Sequence, residues 1–345
     1  MPFVHETDAP GRVWGRFSAM SQPIAVILAA GKSTRMKSAR PKVLHEVCGR
    51  PMLTWVLRAC YEAGCARVIV VVGHGKDQVI AHYADDGRIH WVEQTEQLGT
   101  GHAVLMCEPL LRQTQGDVFI LAGDGPLIRG QVLRTLLEAH REERVAASMA
   151  TAVLDDPTSY GRILRDQNGE FLAIVEEVDC TPQQRQIREV FPSYYCVRSE
   201  DLLWALTMLT PNNRKNEYYL TDIYAHLRAA GRRVLAVQAV TAEDVLSVNT
   251  RQQLAEVDAV MQERIQRAHR DRGVTIVSSH TTYIEDGATI GMDTVIQPFA
   301  FIGRGASIGD DCVIGPFAVV PREGIVPEGT TVAANVAADA AIIKT

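Results

Sequence analysis

At 345 residues, against a typical domain of about 150, the chain has room for roughly two domains. Hydrophobic residues make up 46% and charged residues 22%, which excludes a disordered, collagen-like or otherwise fibrous chain. Lys plus Arg total 35 against 41 for Asp plus Glu, so the formal charge is −6 and the basic excess of a general nucleic-acid binder is missing.

The first 22 residues lack the apolar stretch of a secretory signal, and Met20 sits four residues before the first strand. They read as an N-terminal extension, with Met20 a candidate start. From Ile24 to about Val240, short β-rich runs (Ile24–Leu28, Val68–Val72, Val118–Leu121) alternate with helix-length segments such as Leu53–Ala63 and Gln131–Arg141. That alternation predicts βαβ units around a buried, largely parallel sheet, with a ligand crevice at the strands' carboxyl ends. Between Thr250 and Arg272, Leu254, Val257, Met261 and Ile265 recur at helical spacing among charged residues and predict an amphipathic connecting helix.

After that helix the rhythm changes. Ile284, Ile290, Ile296, Ile302, Ile308, Ile314, Val320, Val326 and Val332 fall at intervals of six, several followed by glycine. A hexapeptide repeat of β-branched residues predicts a parallel β-helix, each branched side chain filling the interior. The expected organisation is an extension over 1–22, an α/β domain over 23–249, a connecting helix over 250–272 and a short β-helix over 273–345.

No apolar run approaches the roughly 18 residues of a membrane span, and the expectation is a chain without a membrane partner. The cysteines at 48, 60, 65, 107, 180, 196 and 312 form no C-x-x-C pair, which argues against a disulfide framework or structural zinc and for a reducing cytoplasm.

The first strand runs into Leu28-Ala-Ala-Gly31-Lys-Ser-Thr-Arg35-Met36, with Pro41 and Lys42 soon after. A glycine at a strand end lets backbone approach a phosphate, and Arg35 and Lys42 would add fixed positive charge. The bland alternative is a glycine turn with two solvated basic residues. The spacing matches neither a P-loop nor a G-x-G-x-x-G dinucleotide turn. No Ser-His-Asp arrangement can be read; His74 and His102 read as buried or capping histidines.

The string LAAGKSTRM…PK, with Gln94-Thr-Glu-Gln-Leu-Gly-Thr-Gly101, Leu121-Ala-Gly-Asp-Gly-Pro-Leu127, Asp155–Arg162, Ile174–Glu177, Asn216–Asp222 and Ser247–Arg251, resembles the sugar-1-phosphate nucleotidylyltransferases. Within them it is most similar to the bacterial N-acetylglucosamine-1-phosphate uridylyltransferases. The resemblance implies a Rossmann-like α/β nucleotidylyltransferase domain with a mostly parallel sheet, then a short left-handed β-helix. It implies that Leu28, Ala29, Ala30 and Gly31 hold the nucleotide, and that Gln94, Gly99 and Thr100 read the uracil. Asp124 and Asn249 match the family's metal positions, where a carboxylate and an amide oxygen beside phosphates suit Mg²⁺. Gly161 and Glu176 match the sugar contacts, Arg35 and Lys42 the catalytic cations. The Glu217-Tyr-Tyr219 segment reads as architectural. Substrates would be UTP and a sugar-1-phosphate, and the β-helix would assemble a homotrimer.

The chain also departs from that pattern. Phe191-Pro-Ser193 stands where family members carry an Asn-Thr-Gly triplet that contacts the acetylated sugar, and Ala122 precedes Gly123-Asp124 in place of a bulkier residue. The repeats fade after Val332, without the later coils in which longer relatives place an acetyltransferase site, so no such activity is expected. Two alternatives stay open: another sugar-1-phosphate or pyrimidine nucleotide, and a silent sugar-nucleotide sensor or scaffold.

Overall fold

The computed structural model describes residues 22–213 and 215–333. Met20 and nearly all of the expected N-terminal extension lie outside the described residues.

Among the described residues, eleven strands and seven α-helices build the first part of the molecule. The strands are β1 (Ile24–Ala29), β2 (Glu46–Val47), β3 (Arg50–Pro51), β4 (Arg67–Val72), β5 (Ile89–Glu93), β6 (Asp117–Ala122), β7 (Ala147–Val153), β8 (Gly161–Arg165), β9 (Phe171–Val175), β10 (Glu189–Arg198) and β11 (Val234–Gln238). The helices are α1 (Met52–Glu62), α2 (Lys76–His82), α3 (Thr100–Leu105), α4 (Glu108–Leu111), α5 (Gly130–Glu142), α6 (Ser199–Leu206) and α7 (Asp222–Ala229).

The large sheet has the order β11-β7-β10-β6-β1-β4-β5, with β8 and β9 extending from β10. Its pairings are parallel except where β10 runs antiparallel to β6, β7 and β8 and where β8 and β9 pair antiparallel. Continuous apolar runs such as Val68–Val72 form its centre because both faces are covered. Helices α1 and α5 supply Leu53, Val56, Leu133 and Leu136 to one face, and α3, α6 and α7 supply Val104, Leu202, Ile223 and Tyr224 to the other. From β1 the chain moves to β4 and β5 on one side, then returns to β6 on the other, so the crevice opens between the carboxyl ends of β1 and β6.

Helix α8 (Arg251–Arg270) follows, with Thr250 as its N-cap, and buries Val257 and Met261 against Met36, Met52 and Leu127. Ten two-residue strands then wind into a parallel β-helix. Its three faces align Thr275, Val295, Val313 and Thr331; Tyr283, Phe301 and Val319; and Thr289, Ser307 and Ile325. The nine β-branched positions from Ile284 to Val332 all point inward, each at most 8% exposed. The first coil departs from the repeat: Ile276 pairs with Ile296, 20 residues on, where later partners such as Ile296 and Ile314 are 18 apart.

Polar side chains bolt the β-helix to the α/β domain, partly through α8 and partly directly. Gln262 donates to the Ile284 carbonyl (2.7 Å) and accepts from its N–H (3.0 Å), which completes backbone pairing at the first coil. Asp258 accepts from the Cys48 N–H (2.8 Å) and the Tyr283 hydroxyl (3.0 Å), while Asp286 pairs with Arg50 (2.7 Å) and Arg58 (2.7 Å). All seven cysteines are free and buried. Among the described residues no helix is long and apolar enough to cross a membrane.

Candidate active site

The loop after β1 is held from two sides. The Gly123 N–H donates to the Leu28 carbonyl (3.0 Å), and the His74 N–H reaches the Ala30 carbonyl (3.4 Å). A Cβ on Gly73 would lie 2.8 Å from that same Ala30 oxygen, so only glycine permits this approach. Residues 28–31 thus line a cavity of about 310 Å³ with Lys42, Gln94, Gly99, Thr100 and Asp124. His74 is exposed on this wall, neither buried nor capping a helix as its sequence context suggested.

Opposite the β1 loop, Gln94 is 4% exposed. Its Nε2 donates to the Gly99 carbonyl (3.1 Å) and contacts His102 Nδ1 (3.1 Å). The Tyr218 backbone clamps this turn at two points, its N–H donating to the Leu98 carbonyl (2.8 Å) and its carbonyl accepting from the Gly101 N–H (2.8 Å). Gly99 has φ 108° and a Cβ there would lie 2.6 Å from the Tyr218 oxygen, so the tight clamp requires glycine. The Thr100 hydroxyl accepts from the Leu220 N–H (3.1 Å). The Glu217–Tyr219 segment therefore braces the turn that carries Gly99 and Thr100.

A second cavity of about 270 Å³ continues from the first, sharing Ala122, Asp124 and Ser193 with it. Its lining includes Ser159, Tyr160, Gly161, Glu176, Phe191 and Ser247. Burial raises the Glu176 carboxyl above its ordinary pKa of 4.5, and the Thr221 hydroxyl donates to it (3.4 Å). The raised value means that the folded state holds this proton more tightly than the unfolded chain. The cost of ionisation is absent below the unfolded pKa, grows as pH rises, and is complete above the folded pKa. Glu176→Gln should therefore melt above wild type at pH 7, with the gap closing near pH 4, as a pair of thermal melts would record.

Phe191 sits in the second cavity's wall but is only 4% exposed, edge-on to Tyr195 (4.8 Å) and Tyr224 (6.0 Å). The β10–β7 register shifts between Val190 and Tyr194, and Ser193 takes a left-handed φ of 66°. This irregularity buries the Phe191 ring and turns Pro192 and Ser193 toward the cleft.

Four side chains from three distant segments meet between the cavities. Asp124 pairs with Lys42, whose Nζ also donates to Asn249 Oδ1 (3.1 Å), and Arg35 Nη2 donates to that same oxygen (2.9 Å). The Val248 N–H donates to the Asp124 carbonyl (2.9 Å), which ties the end of β6 to the segment carrying Asn249. Asn249 does not cap α8. Thr250 does, and Gln253 Oε1 instead accepts from the Asn249 N–H (2.8 Å), leaving the Asn249 side chain for the cluster. Arg35 and Asn249 line neither cavity and join the site through these hydrogen bonds. The positions legible from sequence thus converge on one cleft; His102, expected to be buried or capping, is half-buried against Gln94, and Tyr160, Ser193 and Ser247, which lie in segments already singled out, join the second cavity's wall without having been assigned a role.

Comparison with known proteins agrees with this architecture. A model of the MobA-like NTP transferase domain matches residues 25–188, and one of the bacterial transferase hexapeptide (six repeats) matches residues 282–322. The "Bifunctional protein GlmU" of Heliobacterium modesticaldum is 44% identical over 283 residues, 82% of this chain and 61% of that protein. Its counterpart in Alkaliphilus metalliredigens is 44% identical over 274 residues, 79% of this chain and 59% of its own length. The chain thus spans about three fifths of these relatives. A crystal structure of UDP-glucose pyrophosphorylase complexed with UDP-glucose shares the fold, at TM-score 0.58 and 17% identity over 71% of this chain and 100% of that one. The chain thus joins a MobA-like NTP transferase domain to hexapeptide repeats and is similar over about four fifths of its length to the GlmU proteins.

Proposed function

We propose that the protein transfers UMP from UTP to a sugar-1-phosphate, with N-acetylglucosamine-1-phosphate the acceptor that the sequence resemblance implies, releasing pyrophosphate. The observation that carries this reading is the cation–carboxylate–amide cluster of Arg35, Lys42, Asp124 and Asn249, set where two cavities join. One cavity suits a nucleotide, walled by the β1 loop and the Gln94–Thr100 turn. The other suits a sugar, with Glu176 as an acceptor for its hydroxyls.

The reaction is an in-line displacement. A sugar phosphate oxygen bonds to the α-phosphorus of UTP while the bond to the bridging oxygen of pyrophosphate breaks, without a covalent enzyme intermediate. The two cavities hold donor and acceptor on opposite sides of the cluster, so positioning supplies much of the rate. Lys42 and Arg35 offset the charge that develops on the phosphoryl oxygens.

The residues present fit a divalent cation. Asp124 and Asn249 oxygens both accept from one Lys42 ammonium, so their lone pairs already converge on a single cation position. One carboxylate and one amide oxygen, completed by phosphate oxygens and water, suit Mg²⁺. When bound, Mg²⁺ would screen the triphosphate and polarise the phosphoryl group.

Exposed apolar side chains on the β-helix, among them Phe299, Phe317 and Ile325, support assembly through that domain, and a homotrimer is the state proposed. The test of function is pyrophosphate release from UTP with Mg²⁺ across N-acetylglucosamine-, glucose-, galactose- and glucosamine-1-phosphate. Release with N-acetylglucosamine-1-phosphate above the others is the expected result. Preference for another sugar would keep the reaction and reassign the substrate to the cavity beside Phe191–Ser193, while silence with all four would reduce the protein to a binder.

A further inference from the structure

We propose that His102 is a specificity-determining positioning residue, fixing the Gln94 amide so that it presents only an acceptor to the base. The proposal rests on the reading of this cleft as a pyrimidine-nucleotide site and goes beyond it by assigning the discrimination between uracil and cytosine.

The chain of inference starts from an atom with one possible role. The Gly99 carbonyl oxygen can only accept, and it lies 3.1 Å from one terminal atom of the Gln94 side chain. That atom is therefore the amide nitrogen, since an oxygen there would set two lone pairs against each other. The same nitrogen lies 3.1 Å from His102 Nδ1, so Nδ1 takes its second hydrogen and the ring's own proton sits on Nε2. Both Gln94 N–H groups are then spent within the protein. Oε1 accepts no hydrogen bond from the described residues, and Gln94 belongs to the wall of the nucleotide cavity.

A wall that shows only an acceptor asks the base for a donor. Uracil brings N3–H to the middle of its pairing edge, whereas cytosine in the same register brings the N3 lone pair. Cytosine could offer its 4-amino group only by sliding along the edge while its phosphates stay anchored at the β1 loop and Lys42. Thymine shares N3–H with uracil and is not distinguished.

A flipped amide would face two lone pairs, on Gly99 O and His102 Nδ1, and so lose two bonds at once. His102 is thus one of two locks, and it is the one carried by a side chain. It stands on the first turn of α3 with its ring near that of Tyr218 (6.4 Å between centroids), so the segment that clamps the turn also packs against the lock.

The test is calorimetric binding of UTP and CTP, with Mg²⁺, to wild type, His102→Ala and His102→Asn, with thermal melts to confirm folding. An unpaired buried polar group weakens binding by about 10- to 100-fold, so wild type should prefer UTP by at least that factor. In His102→Ala the preference should shrink about tenfold, and His102→Asn, whose Oδ1 can stand in for Nδ1, should restore it. Parallel loss of both affinities at a constant ratio would mark a merely structural histidine and overturn the proposal, as would a wild type that binds both nucleotides equally or neither. Should His102→Ala not fold, N3-methyl-UTP on wild type tests the same geometry: binding within about threefold of UTP overturns the proposal, since one lost hydrogen bond is worth more. The expected nucleotide pattern without pyrophosphate release would overturn the catalytic reading and leave this inference standing.

Discussion

Asp124→Ala should lower pyrophosphate release by about 10³-fold or more at saturating UTP, the equivalent of about 4 kcal/mol of lost transition-state stabilisation. Asp124 is the cluster's one carboxylate: it balances Lys42 and supplies the negative oxygen of the proposed Mg²⁺ site. Arg35→Ala should lose less, about 10²-fold, because Arg35 reaches the cluster only through Asn249 Oδ1. The fold should survive. Asp124 stands at the edge of the cleft, and Lys42 keeps Asn249 as an acceptor when the carboxylate is removed. Kinetics across a Mg²⁺ titration beside a thermal melt checks both halves of the expectation. Asp124→Asn keeps the shape while removing the charge, and near-normal turnover in it would show that the charge is not what matters.

The second large effect is on stability. Asp244→Ala should cost about 2–3 kcal/mol, discounted from the usual 3–5 for breaking a buried pair because both arginine partners are partly exposed. The Asp244 carboxylate is 1% exposed and pairs with Arg129 and Arg264. Arg264 also donates to the Leu127 carbonyl (2.8 Å), and the Asp244 carbonyl accepts from the Tyr194 hydroxyl (2.8 Å). The acidic side chain therefore links α5's entry and helix α8, while the backbone carbonyl of the same residue ties the segment to strand β10. Removing it leaves Arg264, whose own pKa is lowered by burial, without its carboxylate. A denaturant melt should show a lower midpoint with an unchanged slope, and a midpoint equal to wild type would mean that the arginines simply turn to solvent.

The two cavities also separate what the family pattern carries over from what this chain does alone. In the first cavity, the one proposed for the nucleotide, Gly31, Lys42, Gln94 and Gly99 stand together in the wall. On the sugar side, the departure at Phe191-Pro-Ser193 looks in sequence like an amide exchanged for an aromatic ring in the pocket. In the fold most of that ring is withdrawn into a cluster with Tyr195 and Tyr224, and Ser193 is the polar group turned into the cleft. The shape of this wall is thus as much a matter of backbone irregularity as of side-chain identity.

The sequence by itself determined whatever depends on short-range periodicity. The βαβ alternation, the amphipathic α8 and the six-residue rhythm from Ile284 to Val332 were legible because each element must bury a face at its own fixed repeat. The loops that line the cleft were legible for the same reason, since a parallel sheet puts them at the strands' carboxyl ends. Tertiary structure alone decided what joins across the chain. Asn249 meets Arg35 from 214 residues away, Gln262 completes the backbone of a coil 22 residues downstream, and His102 fixes an amide whose orientation no spacing encodes. These contacts rest on directional hydrogen bonds between single atoms, and such bonds leave no period in the sequence for a reader to find.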